Sequence, residues 1–250
     1  MALEPLLIQH METSNPLLKR RGAFAPTLER GEAMTLQGVV NKSGVLLLLC
    51  IGAAAFAWTQ KDLSPLLIVV GLIGGFIACM VGTFKPAASP IAAPIYAVLE
   101  GLVLGAISQI FETRYHGIVG NAMMLTFGVF GLMLVLYTSR TIRVTEGLVK
   151  GIIAATAAVC LVYVVDIVLN FFGAAVPYLH QNGTVGIVIS LVIVGIAAFN
   201  FLIDFAVIEN GVSSGAPRYM EWYCGMALLV TLVWLYLEIL RLLSKLRSRN

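Results

Sequence analysis

The chain has 250 residues, 59% of them hydrophobic and only 12% charged, with a mean hydropathy of +0.94. A soluble domain carries about 25% charged residues, so this composition excludes an ordinary water-soluble domain. The net charge is only +3, and the basic residues lie in loops and tails rather than in one stripe, which argues against nucleic acid as a partner. We therefore predict an all-α integral membrane protein whose first partner is the lipid bilayer.

The segment 1–38 precedes the first apolar run and is predicted to be a poorly ordered cytoplasmic tail. It contains several glutamates and prolines and the basic run Lys19-Arg20-Arg21. It lacks the sustained apolar core and the small-residue cleavage site of a secretory signal. The first apolar run would then act as an uncleaved anchor.

Seven apolar runs follow, each close to the length of about 20 residues that a transmembrane helix needs. They predict a transmembrane domain over residues 39–246, and short polar segments such as QKDLSP and KPAASP separate them. The stretches GLIGG and GLVLG place small residues four apart, a weak signal for close helix packing. The runs cover residues 39–60, 65–84, 91–111, 117–138, 148–172, 185–208 and 222–243.

The distribution of lysine and arginine favours an amino terminus in the cytoplasm. In that orientation most basic residues of the loops lie inside, and only Lys61 and Arg114 lie in outer loops. The basic carboxyl-terminal tail breaks the rule, because seven crossings place it outside. Either all seven helices cross, which we favour, or the last segment does not cross fully.

Four carboxylates inside the apolar runs are the candidate functional residues. A charge near the bilayer centre costs about 2.5–3.5 kcal/mol on insertion scales, so it normally faces a partner or a wet cavity. Loss of water favours the neutral form of a carboxyl group, which makes protonation switching a physical default. The four are Glu100, Asp166, Asp204 and Glu238.

A purely structural interpretation suits some of these carboxylates better than others. Glu238 precedes Arg241 by three residues and is most simply half of an interfacial ion pair, whereas Asp166 and Asn170 could reach only headgroups and water. Glu100 lies mid-run, and no basic residue inside another run could neutralise it. Asp204 follows Asn200 by one turn, and its position alone does not decide between the two roles.

Motifs for enzyme chemistry are missing, since HExxH, GxSxG and GxxxxGK[ST] do not occur. The four cysteines lie one per apolar run and form no CxxC pair or Cys/His cluster, so we expect packed, reduced thiols. We predict no enzyme, no catalytic residue, no cofactor and no firmly bound metal.

The ordered runs resemble the bacterial branch of the Bax inhibitor (transmembrane Bax-inhibitor-motif) family over roughly residues 34–246. The resemblance is carried by MTLQGVVNKSGVLLLL entering the first run, PIYAVLEGLVLGAIS in the third and NFLIDFAVIE ending the sixth. It implies a seven-helix fold with the last helix at the centre of the other six. It also implies a location in the bacterial inner membrane.

For some bacterial members the resemblance implies a pH-sensitive calcium leak, gated by two aspartates on helices six and seven that share a proton or hydrogen bond. Asp204 matches the first aspartate. Ungapped alignment puts Leu228 or Leu229 at the second, whereas a gap of roughly ten residues would bring Glu238 there. The basic residue that the family can place on helix two is absent from run 65–84.

Two functions from different classes follow from these residues. The first is a pH-sensitive calcium or cation leak channel with Asp204 as the gate and Glu100 and Asp166 as cavity carboxylates. Since calcium takes about six to eight oxygens, Asp204 would attract the ion only transiently. The second is a non-transporting regulator that binds other membrane proteins, such as a membrane protease. The expected partner of Asp204 is one of Glu100, Asp166 and Glu238.

Overall fold

The computed structural model describes residues 33–173 and 183–249. These residues form seven α-helices long and apolar enough to cross a membrane, with no β-strand among them, so the predicted all-α membrane fold is confirmed. The helices are α1 (Leu36–Thr59), α2 (Ser64–Phe84), α3 (Ser89–Arg114), α4 (Ile118–Thr138), α5 (Glu146–Phe171), α6 (Thr184–Ser213) and α7 (Met220–Arg249).

The helices extend beyond the apolar runs, most of all at α6 and α7. The sixth run stops at residue 208 and the seventh at residue 243, whereas α6 continues to Ser213 and α7 to Arg249. Hydropathy marks only the part of a helix that suits hydrocarbon, and the backbone hydrogen bonding continues through polar residues at its ends.

Residues 33–38, which the sequence assigned to the tail, already include a bridge to residue 217 and the start of α1. Ala33 forms an isolated antiparallel bridge with Pro217, and Met34 is 2% exposed. Thr35 then caps α1 by accepting a hydrogen bond from the Gly38 main-chain N–H at 2.9 Å. Residues 1–32 lie outside the described part of the chain.

Glycine allows α1, α2 and α3 to pack with their backbones in close contact. A Cβ on Gly101 would lie 2.3 Å from the carbonyl oxygen of Cys50, and one on Gly105 would lie 2.2 Å from that of Ala54. A Cβ on Gly71 would lie 2.7 Å from the Leu99 carbonyl oxygen. Both predicted small-residue stretches are therefore packing faces of α2 and α3, as expected when van der Waals contact drives helix association in lipid.

α7 contacts each of the other six helices. Gly225 packs on α1, Met226 lies against Gly82 of α2, and apolar residues such as Leu235 pack in one core cluster with α4. Hydrogen bonds from its polar residues reach α3, α5 and α6. The central position expected of the last helix stays a prediction, which these contacts favour.

Candidate functional site

The carboxylate of Asp204 on α6 is bonded to a hydroxyl group of α7. Thr231 Oγ1 lies 2.7 Å from Asp204 Oδ2 and donates a hydrogen bond to it. Thr231 Oγ1 also lies 3.3 Å from the carbonyl oxygen of Ala227, one turn earlier in α7. Thr231 is 7% exposed and lies within the apolar stretch LLVTLVW, so water competes little for this bond. We call the contact the Asp204–Thr231 junction.

This contact corrects the expectation for the partner of Asp204. In the described chain, neither Glu100, Asp166 nor Glu238 bonds to Asp204, and the residue that does is Thr231, 27 positions later. Leu228 lies one helical turn before Thr231, and Leu229 packs in an apolar cluster with α1 and α3. The signal that could have found the partner was one hydroxyl in an otherwise apolar run.

Asn200 lies one turn before Asp204 and ties α6 to a different helix. Its Nδ2 donates to Thr156 Oγ1 of α5 at 2.9 Å and to the carbonyl oxygen of Ile196 at 2.8 Å. The two polar residues on this face of α6 therefore hold α5 on one side and α7 on the other.

Glu100 lies on α3 and faces α2. A Cβ built on Gly75 would lie 3.3 Å from Glu100 Oε2, so the absence of a side chain there leaves room for the carboxyl group. Glu100 is half-buried, and within the described residues its carboxyl group takes part in no hydrogen bond or ion pair. It belongs to the α2–α3 packing face and does not join the Asp204–Thr231 junction.

Glu238 and Arg241 form the ion pair that their spacing predicts, and Tyr163 of α5 joins it. Arg241 Nη1 lies 3.1 Å from Glu238 Oε1, and Tyr163 donates to the same oxygen at 2.7 Å. Arg241 also donates to the Tyr163 hydroxyl. The pair is less interfacial than expected, because the side chain of Glu238 is only 3% exposed while that of Arg241 is 36% exposed.

Two further charged residues on the same side of the bundle are buried. Asp166, one turn beyond Tyr163 on α5, is 6% exposed, which corrects the idea that it reaches only headgroups and water. Asn170 donates to the main-chain oxygen of Asp166 at 2.8 Å. Lys245, expected in an outer tail, is 4% exposed in α7 and donates to Ser190 Oγ of α6 at 2.8 Å.

At the opposite end of the bundle, an exposed ion pair links α6 to the segment after α4. Arg140 Nη2 lies 2.6 Å from Glu209 Oε1, and Tyr137 donates to the other carboxylate oxygen of Glu209. The side chains of Arg140 and Glu209 are 68% and 47% exposed. Exposure on this scale makes the pair weak, with a contribution of about 0–1 kcal/mol.

The polar contacts together form a series along α7. From its first residues to its last turns, this helix bonds in turn to Thr35, Asp204, Ser108, Tyr163 and Ser190. Polar groups buried in a membrane protein normally line an ion or proton route or stabilise a specific packing. The described residues contain no group of three or more histidine, cysteine, aspartate or glutamate side chains that could hold a metal ion.

Comparison with known proteins gives one match. A protein-family model described as Bax inhibitor 1 like matches residues 15–248, almost the whole chain. Neither the curated proteins nor the solved structures contain a significant match.

Proposed function

Because the chain belongs to the Bax inhibitor 1 like family, we propose that it is a multi-pass membrane protein that leaks cations, calcium foremost, in a pH-sensitive manner. The observation that carries the proposal is the Asp204–Thr231 junction between α6 and α7. The bacterial inner membrane and a cytoplasmic amino terminus are part of the same proposal.

The junction can exist in two hydrogen-bonded forms. When Asp204 is ionised, the single proton of the Thr231 hydroxyl is donated to the carboxylate. When Asp204 is protonated, its own O–H donates to Thr231, and the threonine proton turns to the Ala227 carbonyl oxygen, 3.3 Å away. A hydrogen bond to a carboxylate is roughly twice as strong as one between neutral groups, so protonation loosens α6 from α7.

The two forms of the junction determine the direction in which pH changes the leak. Lower pH raises the neutral fraction of Asp204, weakens the junction and favours separation of the two helices, so the leak rises as pH falls. Tyr223 and Cys224 of α7 are the other titratable side chains whose charge interacts with that of Asp204. Tyrosine and cysteine side chains are ordinarily neutral near pH 7, so Asp204 is the group of these three to which the proposal assigns the change of charge.

Cations rather than anions fit the carboxylates of the bundle. The described chain has one carboxylate, Asp204, at the junction and another, Glu100, half-buried without a bonded partner. Calcium takes about six to eight oxygens, so a single aspartate attracts the ion and releases it. Weak attraction of this kind suits a leak of modest selectivity rather than tight calcium storage.

The test is calcium flux into dye-loaded liposomes from about pH 6 to about pH 8, the range over which a buried carboxyl group titrates. We expect wild-type flux to rise as pH falls. Asp204→Asn, which cannot change its charge, should give flux that no longer depends on pH. Thr231→Val removes the donor and should raise flux at the higher pH toward its value at the lower one.

Thr126→Val is the matched control, since Thr126 is buried on α4 and, within the described residues, bonds only to the Ala122 carbonyl oxygen of its own helix. Its flux should follow the wild type. No wild-type flux at any pH would reject the leak, and an unchanged pH profile in Asp204→Asn would reject Asp204 as the group that gives the leak its pH dependence.

The second candidate is a non-transporting regulator that binds another membrane protein, such as a membrane protease. It is favoured by the Asp204–Thr231 junction, because the partner of Asp204 on α7 is a hydroxyl group and not the second acid that the resemblance implies. Stable co-purification of one membrane protein, together with no flux in liposomes, would decide for the regulator.

A further inference from the structure

A deep groove opens on the side of the bundle between α1 and α4. Its volume is about 720 Å³, within the range of about 300–1,000 Å³ typical of ligand sites. Its floor is formed by buried residues of α6 and α7, among them Phe205, Ile208 and Leu229, which are 4–7% exposed. Its sides include exposed residues such as Val40 of α1 and Leu134 of α4. We call it the α1–α4 groove.

The length of the groove along α1 matches the thickness of one leaflet of a bilayer. Along α1 its lining runs from Leu36 to Leu47, eleven residue steps, which is about 16 Å at 1.5 Å per residue. The hydrocarbon core of a bilayer is about 30 Å thick. Since the lining begins at the amino-terminal end of α1, the groove runs from the membrane surface on that side to about the midplane.

The chemistry of the groove changes from apolar to polar along its length. The deep part is lined by Phe127, Phe130 and Leu232. The end at the membrane surface combines apolar residues such as Leu36 and Val212 with the polar residues Tyr137, Thr138, Arg140, Glu209 and Ser213. Arg140 donates one hydrogen bond to Glu209, with Nη2 2.6 Å from Oε1, and its side chain is 68% exposed. A guanidinium group has five N–H donors, so Arg140 can hold a phosphate while it keeps its carboxylate partner.

We propose that the α1–α4 groove binds a membrane phospholipid, with an acyl chain along the apolar part and the phosphate at Arg140. An apolar groove on the membrane side is bathed in hydrocarbon, so lipid fills it before any soluble ligand. Basic residues between membrane helices at the membrane surface are suited to phospholipid headgroups. The polar end and the one-leaflet depth distinguish this site from the plain apolar surface elsewhere.

The bound acyl chain would lie against α6 and α7 beside the Asp204–Thr231 junction. Phe205 is the neighbour of Asp204 in α6, Leu232 is the neighbour of Thr231 in α7, and both line the groove. The binding site itself does not depend on the proposed leak, and the test below measures binding alone.

The test uses the full chain in proteoliposomes doped with phosphatidylglycerol that carries a photoreactive diazirine in one acyl chain. After illumination, labelled positions are mapped by tandem mass spectrometry. We expect labelling at Val40, Leu134 and Leu228 to exceed that on the outward face of α2, at Ile73 and Phe76, by about fivefold, a preference of about 1 kcal/mol.

Matched variants separate the groove from the general surface. Gly44 lines the groove, and a Cβ there would meet nothing within 4 Å, so Gly44→Leu fills the space without displacing backbone. Gly52→Leu is the control, because Gly52 lies two turns further along α1, has the same open space and is not part of the groove. Gly44→Leu should abolish the excess labelling, and Gly52→Leu should preserve it.

Arg140→Gln should reduce the excess labelling of the groove while labelling of α2 stays constant. Three results would overturn the proposal. They are equal labelling of groove and α2 in the wild type, excess labelling that survives Gly44→Leu, and excess labelling that Arg140→Gln leaves unchanged. The wild-type comparison needs no variant, so a variant that fails to fold does not weaken the test.

Discussion

One carboxylate oxygen of Glu221 accepts two hydrogen bonds from Thr35, a residue 186 positions earlier in the chain. The Thr35 main-chain N–H and its hydroxyl group each lie 3.0 Å from Glu221 Oε1. Thr35 is also the residue that caps α1. The start of the first helix is therefore held by the first turn of the last one.

Glu221→Ala should destabilise the protein by about 1–3 kcal/mol, because it leaves the Thr35 donors without their partner. Glu221 is 3% exposed, so water replaces the carboxylate poorly. Thermal unfolding in detergent micelles measures the effect. Glu146→Ala is the control, since Glu146 pairs only with Lys150 and its side chain is 91% exposed. Equal losses in the two variants would contradict the prediction.

Gly101→Ala should destabilise the bundle by about 1–3 kcal/mol through overpacking. The added methyl group would lie 2.3 Å from the Cys50 carbonyl oxygen, and backbone cannot move aside as a flexible side chain can. Gly52→Ala adds the same methyl group to α1 in open space and should be neutral or stabilising by up to about 1 kcal/mol. A thermal shift of the same sign in both variants would rule out close packing as the cause.

Removing Arg241 should destabilise the protein more than removing Glu238. Arg241→Leu leaves a carboxylate that is 3% exposed with Tyr163 as its remaining partner, whereas Glu238→Leu leaves a guanidinium that is 36% exposed and reaches water. Removing one member of a buried pair costs about 3–5 kcal/mol, and we expect Arg241→Leu to approach that range and Glu238→Leu to fall below it.

The double variant Glu238→Leu, Arg241→Leu should lose less stability than the two single variants lose together, because it leaves neither charge buried without its partner. Arg140→Leu is the exposed comparison and should cost no more than about 1 kcal/mol. Additive losses in the double variant would show that the two residues act independently.

The orientation is tested with single cysteines in a chain whose four native cysteines are replaced by alanine. Asp62, Ser139 and Ser248 are exposed positions in the α1–α2 loop, after α4 and near the end of α7. With the amino terminus inside and seven crossings, an impermeant maleimide added to intact cells should label Asp62→Cys and Ser248→Cys but not Ser139→Cys. If the last helix does not cross, Ser248→Cys should be protected together with Ser139→Cys while Asp62→Cys is still labelled.

The seven helices could be predicted from the sequence because the bilayer demands about 20 apolar residues for each crossing. Their ends could not, since α7 continues past residue 243 through Arg247 and Arg249 by backbone hydrogen bonding alone. Lys245 shows the consequence, because composition placed it in a tail and the helix buries it against Ser190.

The partners of the polar residues were harder to predict than the helices. Spacing within one helix identified Glu238 with Arg241, because residues three apart share a face. The contact between Asp204 and Thr231 depends on how two helices are rotated about their axes. Apolar residues surround Asn200 and Asp204 on every side of α6, so periodicity does not show which neighbouring helix these two residues face. The partner of Asp204 is also a hydroxyl group, which the spacing of the carboxylates does not predict.

The bridge between Ala33 and Pro217 couples the chain mechanically. The Met34 main-chain N–H donates to the Ala216 carbonyl oxygen at 2.7 Å, which fastens the residues ahead of α1 to the turn that joins α6 to α7. A force applied to the chain ahead of Ala33 acts directly on that turn. Such a force would therefore reach the two helices that share the Asp204–Thr231 junction through the turn that joins them.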